Sequence, residues 1–142
     1  MCVKVFLADD ADVMRKAIRS LLSNREDISV VGEASNFLET VKKTSELHPD
    51  LIILDLNMPD RNHIAPSEAK RLLNGAKVLA ITLGTDDLKE ELLESVGAVR
   101  LLDKAELSNE LIPAILELAP SAQQTLITSV LPEEFSGGRF DG

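Results

Sequence analysis

The sequence predicts an α/β fold: a doubly wound, five-stranded parallel sheet with helices on both faces, in three layers. Short apolar runs alternate along the chain with segments of helical periodicity, and this alternation is typical of parallel sheets. Polar and charged residues directly follow several of the runs, which places them at the carboxyl edge of such a sheet. The runs are Val3–Ala8, Ile28–Gly32, Leu51–Leu54, Lys77–Thr82 and Ala98–Leu102.

Five helices are predicted between and after these strands. The first covers residues 11–24, where the apolar residues fall on one stripe of a helix. The second begins at Asn36, with Glu39 three residues later as in a capping box, and it stops before Pro49. His48, at the end of this helix, is interpreted as its C-terminal cap. The remaining three cover Ser67–Leu73, Thr85 or Asp86 to Gly97, and Leu107–Leu118.

Composition limits the classes of function. The 142 residues suit one domain over 1–118, and residues 119–142 are predicted to be a mostly disordered tail. A net charge of −9 argues against nucleic acid and anionic membranes as direct partners. The single cysteine, Cys2, excludes an internal disulfide. The sequence shows neither an apolar stretch near the roughly 20 residues of a membrane span nor a signal-peptide pattern, so we expect a cytoplasmic protein.

The ends of the predicted strands carry the candidate site. Asp9 and Asp10 follow the first strand, Asp55 follows the third, Thr82 ends the fourth and Lys104 comes soon after the fifth. Crowded carboxylates repel one another and attract a cation, whereas a hydroxyl and an ammonium attract an anion. A divalent metal with a phosphoryl group satisfies both demands. Taken alone, Asp9 and Asp10 can be explained as a helix cap pair and Asp55 as a strand-end cap. Thr82 alone is more often an ordinary strand residue, and Lys104 alone is typical of a solvated surface lysine. The ordered set favours a phosphoryl site.

With the segment Leu54–Pro59, which reads Leu-Asp-Leu-Asn-Met-Pro, these residues resemble the receiver domain of two-component response regulators, the CheY-like superfamily. The resemblance covers roughly residues 2–118. It implies a flavodoxin-like sheet with strand order 2-1-3-4-5. It also implies a signalling switch that takes a phosphoryl group from a histidine kinase or a phosphotransfer protein.

The resemblance assigns a metal set and a phosphoacceptor. Asp55 is expected to accept the phosphoryl group as an acyl phosphate. Mg²⁺ is expected to be held by Asp10, Asp55 and the backbone carbonyl of Asn57, and by Asp9 through water. This small set is adequate because Mg²⁺ usually keeps several of its waters. Lys104 is expected to pair with one phosphoryl oxygen.

The resemblance also implies how phosphorylation is sensed. Thr82 is expected to donate its hydroxyl to a phosphoryl oxygen, a contact that exists only after transfer. Met14, beside Arg15 and Lys16, is either part of a kinase-docking surface or a core residue on the first helix. The face made by the fourth helix, the fifth strand and the last helix is a common surface for homodimers and partners in the family. In this chain that face includes Lys89, Arg100 and Glu106.

Four positions depart from the common receiver pattern. Leu101 stands where an aromatic residue often lies, so conformational coupling must use aliphatic packing or a backbone shift. Ala105 replaces a proline that often follows a cis peptide, and the sequence leaves the isomer open because a non-proline cis bond costs about 3–4 kcal/mol. His63 replaces a common glycine and is interpreted as a solvated loop residue. Leu83 follows Thr82 and can narrow access to the phosphoryl group.

Two other functions stay open. The first is a degenerate receiver that acts as a phosphorylation-independent adaptor, which Leu83 and Leu101 keep in play. The second is a Mg²⁺-dependent phosphohydrolase with Asp55 as nucleophile, but such enzymes usually need a carboxylate two residues further on, where Asn57 stands. We therefore predict no enzymatic activity beyond self-phosphorylation and autodephosphorylation of Asp55. The chain is expected either to act through protein contacts or to be part of a longer regulator.

Overall fold

A parallel sheet forms the centre of the computed structural model, which describes residues 2–58, 76–83 and 96–119. Its strands are β1 (Val3–Ala8), β2 (Ile28–Ala34), β3 (Leu51–Asp55), β4 (Lys77–Thr82) and β5 (Ala98–Asp103). They pair in the order β2-β1-β3-β4-β5. The predicted sheet and its strand order are confirmed, and β2, β3 and β5 each run one or two residues beyond the predicted end.

Three described helices cover the sheet: α1 (Asp12–Leu22), α2 (Phe37–Leu47) and α3 (Leu107–Leu118). Helix α1 is shorter than the predicted 11–24, whereas α3 has the predicted bounds. The helix predicted over 67–73 lies outside the described residues. So do His63, Lys89, nearly all of the helix predicted from Thr85 and the predicted tail beyond Ala119. Within the described ranges, none of the helices has both the length and the apolar character needed to cross a membrane.

The core consists of two apolar clusters, one on each face of the sheet. On one face, Val5 of β1 packs in a cluster with Ile18 of α1 and Leu111 of α3. On the other face, Phe6 packs in a cluster with Phe37 of α2. Neighbouring residues of one strand thus enter opposite clusters, as strand geometry requires. The sheet is therefore enclosed by helices on both sides, and the three predicted layers are confirmed.

The ends of α2 follow the predicted chemistry. The Asn36 side chain accepts a hydrogen bond from the Glu39 backbone N–H at 2.8 Å, and Glu39 accepts one from the Ser35 N–H at 3.1 Å. The second bond reaches Ser35 and not Asn36, which shifts the capping box by one residue. At the other end, His48 caps the helix in the left-handed conformation, with φ 49° and ψ 59°, and donates its N–H to Thr44.

We expect His48→Gly to raise the free energy of unfolding by about 1 kcal/mol. A residue with a Cβ loses about 1–2 kcal/mol in the left-handed region, and a part of this gain is offset by the larger entropy of glycine in the unfolded chain. Urea unfolding would measure the change. His48→Ala is the matched control, because alanine keeps the Cβ. An equal gain in both variants would mean that the imidazole, and not the backbone, is the source of strain.

Candidate functional site

Three carboxylates meet at the carboxyl edge of the sheet. Asp9 and Asp10 follow β1, and Asp55 is the last residue of its neighbour β3, in a register that places Ala8 opposite Leu54. One carboxylate oxygen from each acid lies within 4.8 Å of the others, and the three oxygens can together hold a metal ion. The structure thus brings together the acids that the sequence singled out. We call Asp9, Asp10 and Asp55 the acidic cluster.

The three acids differ in burial. Asp9 is 1% exposed and Asp55 2% exposed, whereas Asp10 is exposed. Each buried acid has one oxygen anchored by a backbone N–H two residues later: Asp9 Oδ1 accepts from Ala11 at 2.8 Å, and Asp55 Oδ1 accepts from Asn57 at 3.0 Å. These turns fix the orientation of both carboxylates. Their remaining oxygens are the ones available to a cation.

Lys104 supplies a cation to the cluster. It begins the short 3-10 turn Lys104–Glu106 after β5, and its side chain is only 12% exposed. Its Nζ lies 2.9 Å from Asp9 Oδ2 and 3.4 Å from Asp55 Oδ2. The contact between Lys104 and Asp9 is close enough for an ion pair, but its angles are not those of a hydrogen bond. The buried Asp9 Oδ2 therefore has no hydrogen bond from any described group. A buried carboxylate oxygen left in this state suits a site that also accepts a metal ion.

The same environment shifts two pKa values. Burial raises the pKa of Asp55, opposed by the Asn57 N–H, and the neighbouring Asp9 carboxylate raises it further against the pull of Lys104. Burial acts to lower the pKa of Lys104, but its contacts with Asp9 and Asp55 outweigh burial and raise it. The ammonium therefore stays charged, whereas ionising Asp55 opposes folding of the metal-free protein.

We expect Asp55→Asn to stabilise the metal-free protein at pH 7 by about 1 kcal/mol, a typical single-site effect. Because the pKa of Asp55 is raised in the folded state, the folded protein binds more protons than the unfolded chain between the two pKa values. Its stability therefore falls as the pH rises through that window. The advantage of the amide should accordingly be full above the raised pKa and vanish below about pH 4, the ordinary range of an aspartate. Thermal unfolding from pH 3 to 8 in chelator would measure it, and an advantage independent of pH would contradict the cause.

Thr82 ends β4 next to the turn that follows Asp55. Strands β3 and β4 pair in a register that places Asp55 opposite Ile81, and the Leu56 N–H donates to the Ile81 carbonyl at 3.0 Å. The Asn57 side-chain amide donates to the buried Thr82 hydroxyl oxygen at 3.2 Å. This bond occupies a lone pair of the hydroxyl, and among residues 2–58, 76–83 and 96–119 no acceptor takes the hydroxyl proton. The described site thus links the turn after Asp55 to the end of β4.

Three of the four unusual positions lie among the described residues near the site. Leu101 is half-buried and packs against the core cluster that contains Phe6. An aliphatic side chain thus fills the position where receivers often carry an aromatic residue. Leu83, next to Thr82, is 73% exposed, and its side chain lies mostly in solvent. The Ala105 N–H is capped by the Asp103 carboxylate at 2.9 Å, which holds the turn that carries Lys104.

Sequence reasoning missed the role of Arg15 in this region. It considered Arg15 only as a neighbour of a docking surface, but the side chain is just 15% exposed and donates to the Asp9 backbone carbonyl. It also donates to Glu33 of β2 at 3.1 Å. The sequence feature that could have indicated this role is the start of α1, where Ala11 has no side chain that can cap the helix. A loop without a cap needs another anchor.

Comparison with known proteins agrees with this architecture. The family model for the response regulator receiver domain matches residues 5–116. The chain belongs to this family. The receiver is 37% identical over 120 residues to protein-glutamate methylesterase/protein-glutamine glutaminase 1 of Methanosarcina acetivorans, which covers 82% of the chain and 34% of that relative. It is 41% identical over 88 residues to the response regulator protein VraR of Staphylococcus epidermidis, covering 61% of the chain and 42% of that relative.

Solved structures agree on the fold of the receiver. The response regulator domain of Thermotoga maritima CheB superposes with a TM-score of 0.70 at 26% identity, over 83% of this chain and 96% of that one. The chain spans 34%, 30% and 42% of the length of three methylesterase relatives, from Methanosarcina acetivorans, Methanosarcina mazei and Methanococcoides burtonii. The similarity therefore concerns the receiver part of longer proteins.

Proposed function

We propose that this receiver accepts a phosphoryl group on Asp55 from the phosphohistidine of a histidine kinase or phosphotransfer protein, with Mg²⁺ bound beside it. Phosphorylation then switches the protein contacts of a domain that covers residues 1–118. The observation that carries this proposal is the meeting of the three carboxylates and Lys104 at one edge of the sheet. This is the arrangement that phosphoryl transfer to a carboxylate requires.

The acidic cluster fits Mg²⁺. Asp10, Asp55 and the backbone carbonyl of Asn57 would hold the ion directly, and Asp9 would hold it through water. Hard oxygen ligands in small number are what Mg²⁺ prefers, and three carboxylate oxygens already lie within 4.8 Å of one another. When bound, Mg²⁺ neutralises charge on the oxygens of the transferred group.

In the proposed step, an oxygen of Asp55 bonds to phosphorus while the bond between phosphorus and the imidazole nitrogen of the donor breaks. The nitrogen keeps the electron pair, so no oxidant or reductant is needed. Lys104 would exchange its contacts with the carboxylates for a phosphoryl oxygen. Thr82 would donate its hydroxyl proton to another phosphoryl oxygen. The new bonds of Lys104 and Thr82 would alter the contacts that these side chains make without the phosphoryl group. This supports a link between phosphorylation and conformation.

The other two candidate functions receive less support. A phosphohydrolase needs an acid or base two residues after the nucleophile, and Asn57 offers an amide that is already bonded to Thr82. The esterase activity named for the longer relatives is not proposed for these residues, because they span only 34% of the first of them. We propose that they control an effector, either fused or separate. Cytoplasmic location, a homodimer and the absence of nucleic-acid contact stay predictions.

Intact-mass measurement after incubation with acetyl phosphate and Mg²⁺ tests this proposal. We expect the native chain to gain one phosphoryl group, and chelator or Asp55→Asn to abolish the gain. Asp50→Asn is the matched control, because Asp50 precedes the same strand at the opposite edge and its acceptor oxygen for the Lys4 N–H is preserved. A native chain that gains no mass would overturn the proposal and favour the adaptor function.

A further inference from the structure

The Arg15 guanidinium connects three parts of the molecule. One terminal nitrogen donates to the Asp9 backbone carbonyl, the other to the Asp12 carboxylate, and Nε donates to Glu33 Oε1 at 3.1 Å. The planar fork of arginine can serve three acceptors at once, which the single ammonium of lysine cannot do with the same geometry. A side chain on α1 is thus bonded to the loop that carries Asp9 and Asp10 of the acidic cluster and to strand β2.

The acceptor on β2 is itself held in place. Glu33 also pairs with Arg19 of α1, and its backbone carbonyl accepts a hydrogen bond from Lys43 of α2 at 3.0 Å. Glu33 lies in the strand that pairs with β1, in register with Leu7. Arg15 is therefore anchored to the sheet and not only to its own helix.

The backbone at Asp9 depends on Arg15 for one specific contact. The Asp9 N–H donates to the Ala34 carbonyl at 3.1 Å, Oδ1 accepts from Ala11, and Oδ2 faces Lys104. The Asp9 carbonyl oxygen, which belongs to the peptide joining Asp9 to Asp10, is held by Arg15. Because a peptide unit is planar, fixing this oxygen fixes the direction in which the chain enters Asp10.

We propose that Arg15 is a positioning residue for the acidic cluster: it holds the Asp9–Asp10 peptide and thereby sets the affinity of the cluster for Mg²⁺. This inference rests on the proposed function, since it requires that Mg²⁺ binds the cluster. Arg15 does not itself touch the ion or the phosphoryl group. Outer residues that orient ligands commonly change metal affinity by about 10–100-fold when replaced.

The test is the dissociation constant for Mg²⁺ of the full chain, followed by NMR titration of backbone amides. We expect Arg15→Lys to raise the Kd by about 10-fold, because lysine keeps the charge but loses the fork. Arg19→Ala is the matched control: Arg19 lies on the same helix and pairs with the same Glu33, but it does not contact the Asp9 carbonyl. Its Kd should stay within about 2-fold of the native value, a difference of only about 0.4 kcal/mol.

A second readout needs no metal. In chelator, the Asp10 amide resonance should shift in Arg15→Lys and stay near its native position in Arg19→Ala. An arginine with a structural role alone would lower the melting temperature of Arg15→Lys and leave both the Kd of the folded protein and the Asp10 amide unchanged, which would overturn the inference. Failure of the native chain to bind Mg²⁺ would instead overturn the proposed function and this inference together. Arg15→Lys decides the question even where Arg15→Ala does not fold.

Discussion

Lys104→Met should lower the free energy of unfolding at pH 7 without metal by about 3 kcal/mol, because removing one partner of a buried ion pair leaves uncompensated charge. The Lys104 side chain is 12% exposed, and those of Asp9 and Asp55 are 1% exposed. Methionine has a similar length and keeps the apolar contacts of the lysine stem. The expected loss therefore reports the missing ammonium and not a cavity.

Urea unfolding at several pH values would measure this effect. Because the pKa of Lys104 is raised by folding, its contribution is complete below the ordinary lysine pKa of about 10.4 and is lost as the pH rises through the folded value. The native chain should therefore lose stability at alkaline pH, whereas Lys104→Met should not show this step. Lys42→Met replaces an exposed lysine of α2 and serves as control. Equal stability of the two variants at pH 7 would contradict the ion-pair argument.

Gly32→Ala should lower the free energy of unfolding by about 2 kcal/mol, the usual size of overpacking in a filled core. A Cβ built at Gly32 would lie 2.7 Å from Leu47 Cδ1 and 2.9 Å from Phe6 Cε2. Leu47 is 40% exposed and can move, but Phe6 is fully buried and cannot. Gly32 lies opposite Phe6, next to an irregularity in the pairing of β1 with β2. The ring of Phe6 therefore takes the space that a side chain at Gly32 would need.

A double-mutant cycle identifies the obstruction. Phe6→Leu alone should destabilise the protein, but combining it with Gly32→Ala should cost less than the sum of the two single changes, because leucine leaves room for the new methyl group. Leu47→Ala, in contrast, should recover little of the stability that Gly32→Ala removes. Strict additivity of Gly32→Ala with Phe6→Leu would show that the ring is not the obstacle. Thermal or urea unfolding of the native chain, the three single mutants and the two double mutants supplies the required values.

The Gly32 contact also bears on the site. Ala34, two residues further along β2, accepts the backbone hydrogen bond of Asp9, and Glu33 between them binds Arg15. A displacement of β2 at Gly32 would therefore reach the loop that carries Asp9 and Asp10 of the acidic cluster. We expect Gly32→Ala to weaken the proposed Mg²⁺ binding as well as stability. His48→Gly should change stability alone, because His48 precedes β3 and so lies at the opposite edge of the sheet from Asp55, which ends that strand.

Local periodicity determined much of this fold. Runs such as Leu51–Leu54 are uniformly apolar because a central parallel strand is buried on both faces, and every residue of β3 is buried. Caps are equally local: Asn36 caps the start of α2 as its residue type predicts. His48 caps the end as expected, but it does so in a left-handed conformation that is costly for a residue with a Cβ. Strand ends are less well determined, because β2 continues through Gly32 to Ala34, where its pairing with β1 outweighs the weak strand preference of glycine.

The sequence by itself determined which side chains meet at the candidate site, because parallel strands that end at one edge bring together the residues that follow them, here Asp9, Asp10, Asp55, Thr82 and Lys104. Their roles in phosphoryl transfer stay a proposal. Only the tertiary structure decided their environments. Asp9 and Asp10 are neighbours in sequence, yet one is buried against Lys104 and the other is exposed. The bond from Arg15 to the Asp9 carbonyl depends on how α1 lies across β2. Such contacts follow from the relative placement of whole elements, which long-range packing determines and no local pattern records.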